Sequence, residues 1–320
     1  MATVGVGARL HFGFQNLSLA HARLYGGLGV ALAEPRVRVT AERADGVDCP
    51  DGTVRGYVER ATELLDVPGA TVSVEETLPR HVGLGSGTQL ALATLVAVAH
   101  AHDREPRLRE HAPDLGRGGR SGVGVAAFED GGFVVDGGHP TARFTTEPPA
   151  EGEWTVPPVV ARHDLPAEWR FVLAIPDTAR GRNGDREEAS MRAVVERAEP
   201  GIADEVAGVV NRRLLPAAAE GRLDDFGDAV AEVGRLNGAW YVDEQGGVFR
   251  PPVGTVVDEL AGDPAVTGVG QSSWGPTVYG LTDVDRQEAA VAAAEDALRA
   301  ADVDGEVLVV GAASRGALVE

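Results

Sequence analysis

Lysine does not occur in this 320-residue chain. All 29 basic residues are arginine, set against 49 Asp and Glu, and the formal net charge is −20. A surface this acidic excludes general nucleic-acid binding, which needs a positive footprint on phosphate. It suits a salt-rich solvent, where ions screen the self-repulsion. Cysteine is almost absent as well: Cys49 stands alone, so no internal disulfide and no thiolate metal cluster can form. No apolar run reaches membrane-spanning length, and the opening MATVGVGARLHFGF lacks the basic segment and apolar stretch of a secretory signal. A cytoplasmic protein without nucleic-acid or membrane partners is the expectation. At this length the chain accommodates two domains with separate cores.

The stretch Pro79 to His100, PRHVGLGSGTQLALATLVAVAH, carries the strongest local signal. Gly83, Gly85 and Gly87 alternate with Leu84, Ser86 and Thr88, so the backbone can turn tightly and expose its N–H groups. From Leu90 to Ala99 no residue is charged, which predicts a helix buried on all sides. Its N-terminus would aim unpaired amides and a positive dipole end at the loop, an arrangement suited to phosphate. Two familiar phosphate loops are excluded. G-x-x-x-x-G-K-[ST] fails for want of lysine, and G-x-G-x-x-G fails because Thr88 stands where the third glycine belongs. A plain glycine turn ahead of a core helix is the competing structural reading.

Three further segments stand out. Arg9 and His11, in ARLHFG, would point to the same side of an extended strand. Gly116 to Gly138, GRGGRSGVGVAAFEDGGFVVDGG, places Arg117 and Arg120 beside Ser121 on a glycine-rich loop, before a short helix (123–128) and a strand (133–136). The planar fork of arginine suits bidentate phosphate recognition. Val269 to Leu281, VGQSSWGPTVYGL, gives a polar turn around Gly270, Gln271, Ser272, Ser273 and Trp274, then a strand. Elsewhere Tyr25 to Val30 reads as a glycine-rich turn, 36–40 and 70–76 as strands, and 57–66 as a helix. The Pro-rich segment between Pro140 and Pro166 is the expected domain junction, giving domains 1–150 and 165–320. Beyond it come a strand at 170–175, a loop with Arg180 and Arg182, helices at about 187–198, 203–219 and 223–237, and a closing helix and strand. Pro216 is expected to end or bend the middle helix. His100 and His102 lack further ligands at metal-site spacing.

The run PxxxGLGSG resembles the glycine-rich loop of the GHMP kinase superfamily. With ArgLeuHisPheGly, ArgSerGlyValGly and the neighbouring AlaAlaPheGlu, nearly the whole chain is similar to the beta-ribofuranosylaminobenzene 5'-phosphate synthase family. The resemblance implies a two-domain α+β fold: an N-terminal domain with the phosphate loop and a ferredoxin-like C-terminal domain. It also implies transfer of a phosphoribosyl group from phosphoribosyl pyrophosphate to 4-aminobenzoate or 4-hydroxybenzoate. Pyrophosphate and carbon dioxide leave, in a methanopterin-type pathway. On that reading Arg120, Arg9 and His11 are catalytic, while Gly83, Leu84, Gly85, Ser86, Gly87, Thr88, Ser121, Gly270, Gln271, Ser272, Ser273 and Trp274 bind phosphate or substrate. Trp274 is either a stacking surface for the aromatic ring or a core residue. Magnesium is the expected metal, its ligands unassigned beyond Asp136 and Asp177 as candidates, and a homodimer is a candidate assembly. The alternative is a small-molecule kinase using ATP and magnesium. The absence of a carboxylate in Gly119 to Gly122, and of any lysine, disfavours it.

Overall fold

The computed structural model describes residues 1–142, 153–178 and 185–320. Arg180 and Arg182, expected on a loop, lie outside the described residues, as do residues 143–152 of the expected junction. Along the chain, β1 (Ala2–Asn16) and β2 (Arg23–Arg43) form a long antiparallel pair. They are followed by α1 (Gly52–Leu65), β3 (Ala70–Glu76), α2 (Ser86–Ala101), α3 (Leu108–His111), α4 (Val123–Glu129), β4 (Phe133–Asp136), β5 (His139–Pro140) and β6 (Val159–His163). Then come β7 (Trp169–Pro176), α5 (Asp185–Arg197), α6 (Pro200–Val209), a π-helical turn (Val210–Leu214), α7 (Leu215–Glu220), α8 (Leu223–Gln245) and α9 (Val253–Ala261). The chain closes with β8 (Thr267–Gln271), β9 (Val278–Asp283), α10 (Gln287–Ala300), β10 (Gly305–Gly311) and β11 (Leu318–Val319).

Among the described residues the strands make two antiparallel sheets. One has the order β11-β1-β2-β4-β6, with β3 and β5 also paired to β2; the other has the order β10-β7-β9-β8. Numbered within itself, the second sheet reads 4-1-3-2 with helices in its first and last connections, which is the ferredoxin-like arrangement. The α+β architecture is thus as expected. Late segments return to the first sheet: β6 pairs with β4, and β11 pairs with β1.

Period-two patterning explains β1. Val4, Val6, Ala8, Leu10 and Phe12 are buried in the core, so the alternate positions, Arg9 and His11 among them, face the other way. The expected turn at Tyr25 to Val30 is corrected: these residues lie within β2. Their glycines serve close approach instead. A Cβ on Gly27 would sit 2.2 Å from Ser121 Oγ, and one on Gly29 would sit 2.6 Å from Val123 Cγ1.

Helix α1 starts at Asp51, whose side chain accepts the N–H groups of Thr53 and Val54. Helix α2 is buried from Gln89 through Ala99, in keeping with its uncharged run. Pro216 follows the π-helical turn at the start of α7, where its missing N–H costs little. Rings from both sheets meet in one core. Phe12 lies 5.1 Å from Tyr279 and 6.5 Å from Phe171, and Phe133 lies 5.1 Å from Phe226. The strand carrying Arg9 and His11 is thereby locked to the second sheet. Among the described residues no helix is long and apolar enough to cross a membrane.

Candidate active site

The glycine loop is shaped by three close approaches. Gly83 and Gly85 have φ of +101° and +79°, a region that side chains with a Cβ avoid. Arg9 lies across the loop: its N–H donates to Leu84 O at 3.0 Å and its Nη1 to Gly83 O at 2.6 Å, and a Cβ on Gly85 would fall 2.8 Å from its Cγ. Arg117 lies over Gly87 in the same way, with Nη1 3.0 Å from the place a Cβ would occupy. The Arg117 guanidinium donates to Tyr57 Oη and stacks 5.5 Å from that ring's centroid. Leu84 itself turns into the core. Gly85 caps α2 without a side chain, so the first-turn amides beside Ser86, Gly87 and Thr88 border a cleft of about 350 Å³. Arg80, held by Asp51 and Thr53, lines the far wall.

The turn after β8 clamps this loop. Ser272 is fully buried; its hydroxyl donates to Gly83 O at 2.8 Å and accepts the His11 N–H at 3.1 Å. Ser273 N–H donates to His11 O and Thr277 N–H to Val82 O. Gly275 is required there, because a Cβ would meet Val82 backbone at 2.2 Å. Gly270 packs against the Tyr279 hydroxyl within β8. Gln271 accepts the Arg250 N–H and donates to Ser273 O, at the edge of an apolar slot lined also by Phe14, Tyr241 and Phe249. Trp274 is half-buried, edge-on to Tyr241 at 4.7 Å, and borders both this slot and the loop cleft.

A second cleft of about 780 Å³ adjoins the first, sharing Arg9, His81, Arg117 and Ser273 with it. His11, Arg120, Ser121, Trp154 and Glu188 are also among its walls. Arg120 forms an ion pair with Glu188 of α5 and a hydrogen bond with Tyr25, whose hydroxyl is pushed to a higher pKa chiefly by burial. His11 Nε2 lies 3.1 Å from Ser121 Oγ, and that hydroxyl donates to Asp136 Oδ2 at 3.2 Å. Burial, reinforced by the Arg9 charge, lowers the His11 pKa to about 3. Burial raises Asp136 to about 6, although the N–H groups of Gly138, Gly27 and Gly122 and the Ser121 hydroxyl oppose the shift.

Of the two carboxylates considered for a metal, Asp136 has both oxygens engaged by the chain, and Asp177 lines neither cleft. Among the described residues no group of three or more His, Cys, Asp or Glu is placed to hold an ion. His102 Nε2 donates to Gly69 O at 2.8 Å, a bond to backbone in place of a metal. The residues that sequence reasoning passed over are Arg80, Tyr57, Trp154 and Glu188. Arg80 directly precedes the glycine loop, which is a usable signal; Glu188 sits in an ordinary amphipathic helix and offers none.

Comparison with known proteins agrees with this geometry. The model of the GHMP kinases N terminal domain matches residues 53–132, and that of the GHMP kinases C terminal region matches 214–302. The mevalonate pyrophosphate decarboxylase structure from Streptococcus pyogenes aligns with a TM-score of 0.68 at 10% identity, covering 98% of this chain and 97% of that one. The fold is that of the GHMP kinase superfamily. Within it, the beta-ribofuranosylphenol 5'-phosphate synthase of Methanothermobacter thermautotrophicus is 34% identical over 330 residues, covering 98% of this chain and 96% of its own. The enzyme of the same name from Archaeoglobus fulgidus is 33% identical over 285 residues, 86% of each. The chain belongs to the beta-ribofuranosylphenol 5'-phosphate synthase family.

Proposed function

We propose that the protein joins the ribose carbon of phosphoribosyl pyrophosphate to the carboxylate-bearing ring carbon of 4-hydroxybenzoate, releasing pyrophosphate and carbon dioxide. The product, a ribofuranosylphenol 5'-phosphate, is the one named for its relatives. The observation that carries the reading is the juxtaposition in this family member of a cation-lined groove and an aromatic slot. Arg9, Arg80 and Arg117 surround the glycine loop, while Phe14, Tyr241 and Trp274 line the slot, and His11 borders both the slot and the larger cleft.

The reaction needs charge held at one end and a ring held at the other. Pyrophosphate departs with the electron pair of its bond to ribose, and loop amides with Arg9 and Arg117 stabilise the growing negative charge. Ser86 and Thr88 offer hydroxyl donors beside them. Arg120, balanced by Glu188, faces the adjoining larger cleft and can hold the ribose 5'-phosphate or the leaving group. The ring attacks the cationic ribose carbon, and loss of carbon dioxide returns the bonding pair to the ring. Trp274 and Phe14 set its plane. Among the described residues no group of three carboxylates, histidines or cysteines is placed as a cage for magnesium. Magnesium in this reading is a companion of the substrate, carried on its phosphate oxygens.

The test is direct. Protein, magnesium and phosphoribosyl pyrophosphate are incubated in high salt with carboxyl-labelled 4-hydroxybenzoate, and in parallel with 4-aminobenzoate. Labelled carbon dioxide in step with pyrophosphate is the expected result. ATP-dependent phosphorylation of a small alcohol, with no carbon dioxide released from either acid, would replace this reading with the kinase one.

A further inference from the structure

Behind the groove runs a chain of three side chains that phosphate binding leaves unused. Its hydrogen-bond directions follow from the neighbours. Asp136 Oδ2 accepts Gly122 N–H at 2.8 Å and Oδ1 accepts Gly138 N–H at 2.9 Å, so the carboxylate is built as an acceptor. Ser121 gives it the one hydroxyl proton and accepts Val123 N–H at 3.2 Å on one lone pair. Its remaining lone pair can only accept. His11 must therefore carry its ring proton on Nε2, 3.1 Å away, leaving Nδ1 bare. Nδ1 has no hydrogen-bond partner among the described residues, and the ring lines both the larger cleft and the aromatic slot.

This histidine does not hold a second proton, because burial and Arg9 disfavour its cation. Asp136 can take one, since burial disfavours its anion. We propose that His11, Ser121 and Asp136 form a proton relay that ionises the acceptor's hydroxyl, with Ser121 and Asp136 acting on the substrate through His11. The hydroxyl proton moves to His11 Nδ1, the Nε2 proton to Ser121 Oγ, and the Ser121 proton to Asp136 Oδ2. The resulting phenoxide pushes electron density to the ring carbon opposite it, which forms the bond to ribose as pyrophosphate leaves. After carbon dioxide departs, the relay runs backward and restores both the phenol and the original tautomer. No oxidant or further reactant is needed. The inference rests on the phosphoribosyl-transfer reading, which supplies the hydroxyl.

The test uses acceptors that differ in their need for a base. Ser121→Ala cuts the relay while leaving the Asp136 contacts to backbone in place; Asp136→Asn removes its end. With 4-hydroxybenzoate, kcat should fall by about a hundredfold, the lower range for general acid–base catalysis, with KM little changed. A 4-hydroxybenzoate fluorinated on both sides of the hydroxyl is already ionised at neutral pH, and 4-aminobenzoate has no hydroxyl to ionise. On both, the loss caused by Ser121→Ala should be far smaller than its loss on 4-hydroxybenzoate. An equal loss on all three acceptors would overturn the relay while leaving the reaction itself intact. Failure of the wild-type protein on every acceptor would instead remove the functional reading. Nitrogen-15 NMR of His11, independent of turnover, should show the Nε2–H tautomer in wild type; an Nδ1–H signal would also refute the relay.

Discussion

Replacing Gly87 by alanine should strengthen the fold and weaken the enzyme. Gly87 sits in the first turn of α2 with ordinary helical backbone geometry, unlike Gly83 and Gly85. A methyl group there reduces the freedom of the unfolded chain and adds about 0.5–1 kcal/mol of stability. The same methyl group would lie 3.0 Å from Arg117 Nη1 and 3.1 Å from Nη2, at the far end of a long side chain, and would push that guanidinium from its seat on Tyr57. Moving the guanidinium forfeits part of the roughly 1.5–3 kcal/mol that a hydrogen bond to a charged group contributes. About tenfold in kcat/KM for phosphoribosyl pyrophosphate is the expected loss. Gly83→Ala is the contrast: φ is +101° and the methyl would strike Ser272 O, a backbone atom, at 2.4 Å, so destabilisation of about 3 kcal/mol is expected. Urea unfolding and steady-state kinetics on both variants measure the two effects. Wild-type kcat/KM in Gly87→Ala, or a loss of stability matching that of Gly83→Ala, would refute Arg117 as a phosphate ligand.

Arg120→Ala should depress pyrophosphate release strongly, Arg120→Lys should recover part of it, and Arg120→Asp should be inactive; near-normal turnover in Arg120→Ala would reduce the residue to a partner of Glu188. Phe226→Ala empties the ring cluster between the sheets and should cost about 3–5 kcal/mol in denaturant unfolding, with little change in m. The pH dependence of stability should expose two opposed groups. With its pKa raised from 3.8 to about 6, Asp136 binds more proton in the folded state, so its contribution falls as pH rises through that window. With its pKa lowered from 6.5 to about 3, His11 binds less, so its contribution rises over an overlapping window. Asp136→Asn should therefore lose stability more steeply than wild type on acidification from pH 6.5. Parallel urea midpoints at several pH values would contradict these assignments.

Local pattern made some of this legible. Helix α2, strand β3 and strand β4 follow from uninterrupted or alternating apolar residues, whose burial needs little knowledge of distant chain. The glycines of β2 were not legible as strand, because what they accommodate, Ser121 and Asp136, lies far along the sequence. Helix α8 runs on to Gln245, beyond the pattern ending near Asn237, because Asn237 itself turns inward to bond both the N–H and the C=O of Phe14. The loop, Arg9 and His11 announce themselves by residue type. The tasks of Ser272 and Glu188 do not, since a buried clamp and an exposed serine read alike, as do an ion-pair partner and a surface acid.

The clamp through Ser272 also sets a timetable. Its bonds to Gly83 and His11 close sequence separations of 189 and 261 residues, so the phosphate loop is finished only when the segment around Ser272 has emerged and docked. Contacts this distant form late, after local helices and hairpins. During synthesis, the growing polypeptide would carry a recognisable loop and no competent site, and could not squander an activated sugar before the Ser272 turn is in place. Refolding from denaturant should show the same lag, with helical signal returning first and turnover second.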